Sequence, residues 1–412
     1  MSAPSFNPSE IHSSLSELAS ASGLSVAGGK IRRSSSRFCL GVEHGDYNGT
    51  ELFGVGTDRF IWMAYRPNGT NRVRLFSGNF REDGVVDFAL DAVPAAGTTA
   101  DSWARFPFGV AAILNREGFP LQHGMDAVLF GNIPGGGMSR SASLTLNILL
   151  SLAEVNNLDL GSDMSVVDLA QAVENDYIGS PCGNLDQIMI LFAREGMGTH
   201  YNPADRSIRH VPLGSAAEEF RILSLDTGTV RPGLEKSTYK IRHEECRELV
   251  ELCCKDFSMR TLGDVRTPEL YEAILAKFGV SHPGHCARLS YIYQAQKRFG
   301  TMLEAWQGGD IRTVGRVFRE DGLALRDDYA ISGRELETMC DIVRTVPGVL
   351  GERMLGGGDK GASGALVLKD SVEDVSRAVA TAYPRSHPAY AERFAVHSCR
   401  MVDGITALPG WD

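Results

Sequence analysis

The segment Val42-Glu43-His44-Gly45-Asp46-Tyr47-Asn48-Gly49 sets a glutamate, a histidine and an aspartate within four positions, beside an Asn-Gly pair. Such a cluster can ligate a metal, decorate a polar loop, or read the hydroxyls of a ligand. Asn48-Gly49 predicts a tight hairpin turn next to it. Two glycine-rich segments add a second kind of chemistry. In "GNIPGGGMSRSASL" (131–144) the backbone N–H groups of Gly135, Gly136 and Gly137 lead into a helix start, where unsatisfied donors and the helix dipole favour an anion. The hydroxyls of Ser139, Ser141 and Ser143 suit capping, phosphate binding or Mg2+, and a plain strand-to-helix connection with serine caps competes with that reading. No Lys-Ser/Thr follows these glycines, so the segment is not a Walker A loop. "GLSVAGGKIRR" (23–33) also fails, with Ile31 where a hydroxyl is needed. "GGGDKG" (356–361) matches G-x-G-x-x-G, but a dinucleotide site wants an acidic residue about 20 positions on. The chain has "SRAVAT" at 376–381, which disfavours a nicotinamide or flavin.

The elements that must hold these residues follow from periodicity. Residues 9–20 read as an amphipathic helix capped by Ser9, with Ile11, Leu15 and Leu18 on one face. "SRFCLGV" and "LFGVGTDRFIWMAY" read as strands, and "DAVLFGNIP" (126–134) as a further short strand ended by Pro134. From Ser141 a helix is predicted, its face lined by Leu144, Ile148, Leu152 and Val155. A second helical stretch, "SVVDLAQAVENDYIG", leads into "SPCGNLDQIMILFA". "FRILSLDTGTV" starts a new unit near residue 215, helices dominate 239–346, and the second glycine segment precedes an apolar strand.

At 412 residues the chain exceeds one small core, and two domains are expected, 1–215 and 216–412. Hydrophobic residues at 43% and charged residues at 22% describe an ordinary globular balance. A formal net charge of -10 argues against nucleic acid or an anionic membrane as partner. No run is apolar enough to span a bilayer, and no signal-peptide pattern opens the chain. Eight cysteines without a C-x-x-C pair fit a reduced, cytoplasmic protein without zinc.

In chain order, "SRFCLGVEHGDYNG", "IPGGGMSRSASL", "GSPCGNLDQ" and "RMLGGGDKGASGALVL" resemble the galactokinase branch of the GHMP kinases. "VRPGLEKSTYKIRHEEC" and "LRDDYAISGRELETM" extend the likeness, which runs from about residue 30 to 368. The resemblance implies an α+β, two-lobed GHMP kinase fold: an N-terminal mixed sheet with helices, a C-terminal α/β sandwich, and the active site in the cleft between lobes. It implies ATP-dependent, Mg2+-dependent phosphorylation of a sugar at its anomeric hydroxyl, in which the protein mostly positions groups and stabilises charge. By that match Asp186 is the catalytic base and Arg37 its partner. Ser141 and Glu174 hold Mg2+, and Trp103 lies near the adenine. The glycine loop with Ser139 and Arg140 contacts the nucleotide. Glu43, His44, Asp46, Gly183 and Tyr239 read the sugar, Tyr239 standing eight residues after Arg231.

Several positions depart from the family pattern. Ser34-Ser35-Ser36 replaces Ala-Pro-Gly, Arg140 replaces a serine, Gly45 a threonine, and Asp359-Lys360 replaces Phe-Gly. Gly45 is expected to enlarge the sugar pocket, and Arg140 and Lys360 to add cations near the nucleotide. The sugar is therefore galactose or a related, modified or longer aldose. Sugar and ATP are the expected partners of a monomer or weak homodimer. The alternative is a galactokinase-like sugar sensor that binds a regulatory protein. The Ser141-Ala142 pair, whose loss accompanies that role, is intact here. Mevalonate or homoserine chemistry is disfavoured, because those relatives lack the Glu-His-x-Asp-Tyr reader.

Overall fold

The computed structural model describes residues 7–229 and 237–408. Among these residues twelve strands form two sheets. In chain order they are β1 (Lys30–Gly41), β2 (Leu52–Pro67), β3 (Arg72–Ser77), β4 (Val85–Ala89), β5 (Met125–Gly131) and β6 (Met197–Asn202). β7 (Ser207–Pro212), β8 (Phe220–Asp226), β9 (Val349–Met354), β10 (Ala362–Leu368), β11 (Ala395–Cys399) and β12 (Thr406–Leu408) complete the set. The first sheet has eight strands in the order β12-β1-β2-β5-β3-β4, with β6 and β7 attached at the other end of β2. Only β3 and β5 run parallel, so this sheet is mixed. The second sheet, β11-β8-β10-β9, is antiparallel. The α+β, two-lobed reading therefore stands, and the last strand returns to pair with β1.

β1 and β2 are almost entirely buried, because sheet neighbours and helices cover both of them. Within that buried ladder Ser34 and Ser36 find partners, whereas Ser35 Oγ has none among the described residues. Ser34 Oγ is 2.8 Å from Ser143 Oγ and accepts from Asn147 Nδ2 at 3.1 Å, while Ser36 bonds Thr57 across the β1–β2 ladder. Each of these two buried hydroxyls has a partner, which spares it a desolvation cost of about 1–3 kcal/mol. The two lobes share one core. Trp306, from the helix Pro283–Gly308, packs edge-on against Phe53 of β2 and donates Nε1 to Val211 O at 3.0 Å.

The first helix spans Pro8–Ser22, and Asn7 caps it through a capping box with Glu10. Ser9 lies inside the helix instead, because Pro8 occupies the first helical position. Ile11, Leu15 and Leu18 are buried, as the periodicity predicts. Asn48-Gly49 lies in a turn, but not in the two-residue hairpin turn that the pair predicts. Gly49 has φ 73 but Asn48 does not share the positive φ that such a turn needs. Asn48 is instead buried within the connection between β1 and β2, and its side chain donates to His44 O at 2.7 Å.

Candidate active site

A cavity of about 370 Å3 lies between the lobes, within the range of small-molecule sites. Arg37 enters it from β1. Its Nε and Nη2 both reach Asp186 Oδ1, at 2.8 and 2.7 Å, and Nη1 donates to Gly137 O at 2.8 Å. Asp186 sits in the first turn of the short helix Leu185–Leu191. Burial opposes the charge on Arg37, but the Asp186 and Glu43 carboxylates outweigh it and raise its pKa further. Sequence positions 37, 137 and 186 thus converge on one point.

Glu43 is buried and accepts from Arg353 Nη2 at 2.9 Å, with Arg37 Nη2 3.9 Å from its other oxygen. Burial pushes its carboxyl up, against the pull of the two arginines. Arg353 is fully buried, stands over the Phe318 ring and also donates to Cys39 O. Asp46 accepts the Leu185 N–H at 3.3 Å, and its carboxyl is pushed up to about 7 by burial and by nearby Asp186. Gly183 faces it so closely that an added Cβ would lie 2.2 Å from the carboxylate. His44 holds a left-handed backbone, and its Nδ1 is 3.0 Å from Tyr47 Oη. Tyr47 in turn pairs with Tyr329 at 2.7 Å. Tyr239, from the helix Thr238–Cys253, closes this cluster with its ring 5.3 Å from His44. Glu43, His44, Asp46, Gly183, Asp186 and Tyr239 all line the one cavity. Arg231 lies outside the described residues.

The rest of the cavity has a different lining. The helix Arg140–Val155 begins at the first glycine loop, and Ser141 Oγ is 3.2 Å from Glu174 Oε2. Glu174 lies in a π-helical turn, Val173–Ile178, that follows the helix Asp163–Ala172. Gly109 lets the helix Arg105–Arg116 approach that turn, since a Cβ there would lie 2.9 Å from Val173. Gln187 Nε2 donates to Glu174 Oε1 at 3.2 Å, joining the carboxylate to the helix of Asp186. Gly136 stacks on Gly361, and a Cβ would lie 2.6 Å from that Cα, so the two glycine loops meet backbone to backbone. Ile61, Phe80, Trp103, Phe106 and Leu129 make an apolar end. Arg140 lies over the Phe80 ring at 5.5 Å.

Three expectations are corrected here. Ser139 does not cap the helix: its backbone is left-handed at φ 61, it makes no side-chain cap bond, and Oγ is buried without a partner among the described residues. Gly45 does not enlarge the cavity, because a Cβ there would point at Thr50 Oγ1, 2.1 Å away, and at Val42. Of the two extra cations Arg140 lines the cavity, whereas Lys360 does not. Sequence reading missed Arg353, Gln187 and Tyr329, whose partners stand 310, 13 and 282 residues away in the chain.

The groups present fit a nucleotide and a hard cation. Trp103 Nε1 and Ser139 Oγ are buried and unpartnered among the described residues, and both residues line the cavity. One hydroxyl and one carboxylate, from Ser141 and Glu174, suit Mg2+ that completes its shell with phosphate oxygens and water. Among the described residues no group of three His, Cys, Asp or Glu offers an alternative metal cage. No helix among them is long and apolar enough to cross a membrane.

Residues 105–194 match the GHMP kinases N terminal domain, and fold and cavity together place the chain in the GHMP kinase class. It is 31% identical over 358 residues to a galactokinase of Chloroflexus aurantiacus, covering 86% of this chain and 88% of that one. A galactokinase of Limosilactobacillus fermentum is 29% identical over 363 residues, covering 88% and 91%. The solved Lactococcus lactis galactokinase complexed with galactose superposes with a TM-score of 0.88 at 27% identity, covering 97% of this chain and all of that one. A Methanococcus jannaschii mevalonate kinase, at 14% identity and TM-score 0.63, shares the fold over 91% and 99% of the two chains. The chain belongs to the galactokinase family, and it is a sugar kinase, a transferase with an alcohol group as acceptor.

Proposed function

We propose that the protein transfers the γ-phosphoryl group of ATP to the anomeric hydroxyl of galactose or a closely related aldose. The observation that carries this reading is the Arg37–Asp186 pair, which opens on the same cavity as Glu43, His44 and Asp46. Both arginine donors go to Oδ1, so Oδ2 of Asp186 lies outside that fork and is the oxygen that accepts the sugar hydroxyl proton. Arg37 stays in place through Gly137 O and balances charge that develops on the phosphoryl group. Glu43, His44, Asp46 and Tyr239, with the bare backbone of Gly183, count the sugar hydroxyls. A wrong epimer leaves one of these buried polar groups unpaired. The first glycine loop, Ser139 and Arg140 hold the phosphates, and Trp103 with Phe80 walls the adenine. Mg2+ held by Ser141 and Glu174 supplies neutralisation of phosphate charge.

A coupled ADP-release assay over a panel of aldoses tests the proposal. Turnover is expected on galactose, with a lower kcat/KM on its C4 epimer. Absence of turnover on every reducing sugar refutes the substrate reading. The Asp186→Ala variant is expected to lose phosphorylation while calorimetry still detects sugar binding. A cellular phenotype that survives this variant would point to the sensor instead.

A further inference from the structure

The second glycine loop, 356–361, does more than face a phosphate. Gly356 lines the cavity with Glu43, and an added Cβ there would lie 3.1 Å from Gly137 Cα and 3.5 Å from Arg37 Nη2. Gly361 packs on Gly136 of the first loop, donates to Thr229 Oγ1 at 2.9 Å, and accepts the Thr227 N–H at 3.0 Å. Between these two ends stands Asp359, at a position where the family pattern has phenylalanine. Its backbone is left-handed, at φ 57, a conformation that aspartate tolerates better than most side chains. Its N–H donates to Ile331 O at 2.8 Å, which fixes the loop to the segment before the helix Arg334–Arg344.

The side chain then reaches a third place. Asp359 Oδ2 accepts the Thr238 N–H at 2.8 Å, across 121 residues of chain. Thr238 is the first residue of the helix Thr238–Cys253, and the preceding Ser237 supplies no side-chain cap to it. A carboxylate at that point satisfies an otherwise orphaned donor and complements the helix dipole. The next residue, Tyr239, is buried with its ring 5.4 Å from Tyr47 and 5.3 Å from His44. Phenylalanine at 359 offers no acceptor, so this contact belongs to the present chain's own departure.

We propose that Asp359 is a positioning residue for sugar recognition: its carboxylate caps the helix Thr238–Cys253 from the second glycine loop and so holds Tyr239 against the His44–Tyr47 cluster. The proposal rests on the reading of Tyr239 as a sugar contact. A glycine at 359 keeps the left-handed backbone and removes only the acceptor, whereas asparagine keeps both. Asp359→Gly is expected to raise KM for galactose about tenfold, the size of a lost cap, with kcat and KM for ATP within about twofold. Asp359→Asn is expected to behave as the parent protein. In a Tyr239→Ala background Asp359→Gly should have no further effect on KM, because the two act as one unit.

An unchanged galactose KM in Asp359→Gly, an equal rise in KM for ATP, or an asparagine variant as impaired as the glycine one overturns the proposal. Hydrogen exchange at the Thr238 and Tyr239 amides reads the cap without turnover: loss of protection in Asp359→Gly supports it, and unchanged protection refutes it. If the parent protein phosphorylates no sugar, the functional reading fails while the exchange result still judges the cap. Should the glycine variant not fold, Asp359→Ser shortens the acceptor and is judged by the same KM split, with an unchanged galactose KM counting against the proposal.

Discussion

Asp46 offers the sharpest test of how this cavity balances stability against recognition. Its carboxyl is pushed up from 3.8 to about 7, first by burial and then by the neighbouring Asp186 charge. A shift of about 3 units corresponds to about 4 kcal/mol of cost once the group is ionised in the fold. The residue as a whole is only part-buried, and the cavity admits water to it, so on the order of 2 kcal/mol is the better figure. The sign follows from proton binding. A raised carboxyl pKa means that the folded protein holds this proton more tightly than the unfolded chain does. The cost is therefore absent below about pH 4, grows as the pH rises towards about 7, and is constant above that.

Asp46→Asn removes the charge and can keep an acceptor for the Leu185 N–H. The variant should be more stable than the parent at about pH 8, and that advantage should shrink steadily towards about pH 4.5. Thermal melts of both proteins without ligand, across that range, measure the difference. With saturating galactose the order should reverse, because only the parent gains the stabilisation that tight ligand binding confers. Parallel pH curves for the two proteins, or a variant less stable at pH 8 without sugar, would refute the reasoning.

Other positions give more local outcomes. Gly183→Ala places a methyl 2.2 Å from the Asp46 carboxylate, so kcat/KM for the sugar should fall about a hundredfold with KM for ATP unchanged in steady-state kinetics. Arg353→Met leaves buried Glu43 with only the distant Arg37 guanidinium, and urea unfolding should show a loss of about 3–5 kcal/mol. Glu174→Gln should raise the Mg2+ concentration for half-maximal activity about tenfold or more while leaving the calorimetric affinity for sugar intact.

Local signals placed much of this fold, and their failures share a cause. The apolar runs at 36–42 and 52–65 read as strands because both faces of β1 and β2 are covered. The strands β3, β4, β6, β7, β9, β11 and β12 have no counterpart in the sequence reading: they span three to six residues, too few for periodicity to register. Capping was misjudged twice for backbone reasons. Pro8 shifts the first helix start by two positions, and the left-handed Ser139 makes no side-chain cap bond to the helix it precedes.

The candidate site was legible as a set of residue types and spacings, but the direction of each side chain was not. Gly45 and Gly183 make the contrast plain. Each stands beside Asp46, which lines the cavity, and in each case an added Cβ would collide with a neighbour about 2 Å away. At Gly45 that neighbour is Thr50, so the missing side chain accommodates the loop's own packing and leaves the cavity as it is. At Gly183 the neighbour is the Asp46 carboxylate, so the missing side chain is what lets a charged group stand in the cavity at all. On the proposed function, substrate choice depends on how closely β1's following loop can approach the segment before Asp186. Gly183 and Leu185, the latter 139 positions from Asp46 in the chain, set that approach, which is why spacing within "VEHGDYNG" alone was a poor guide to it.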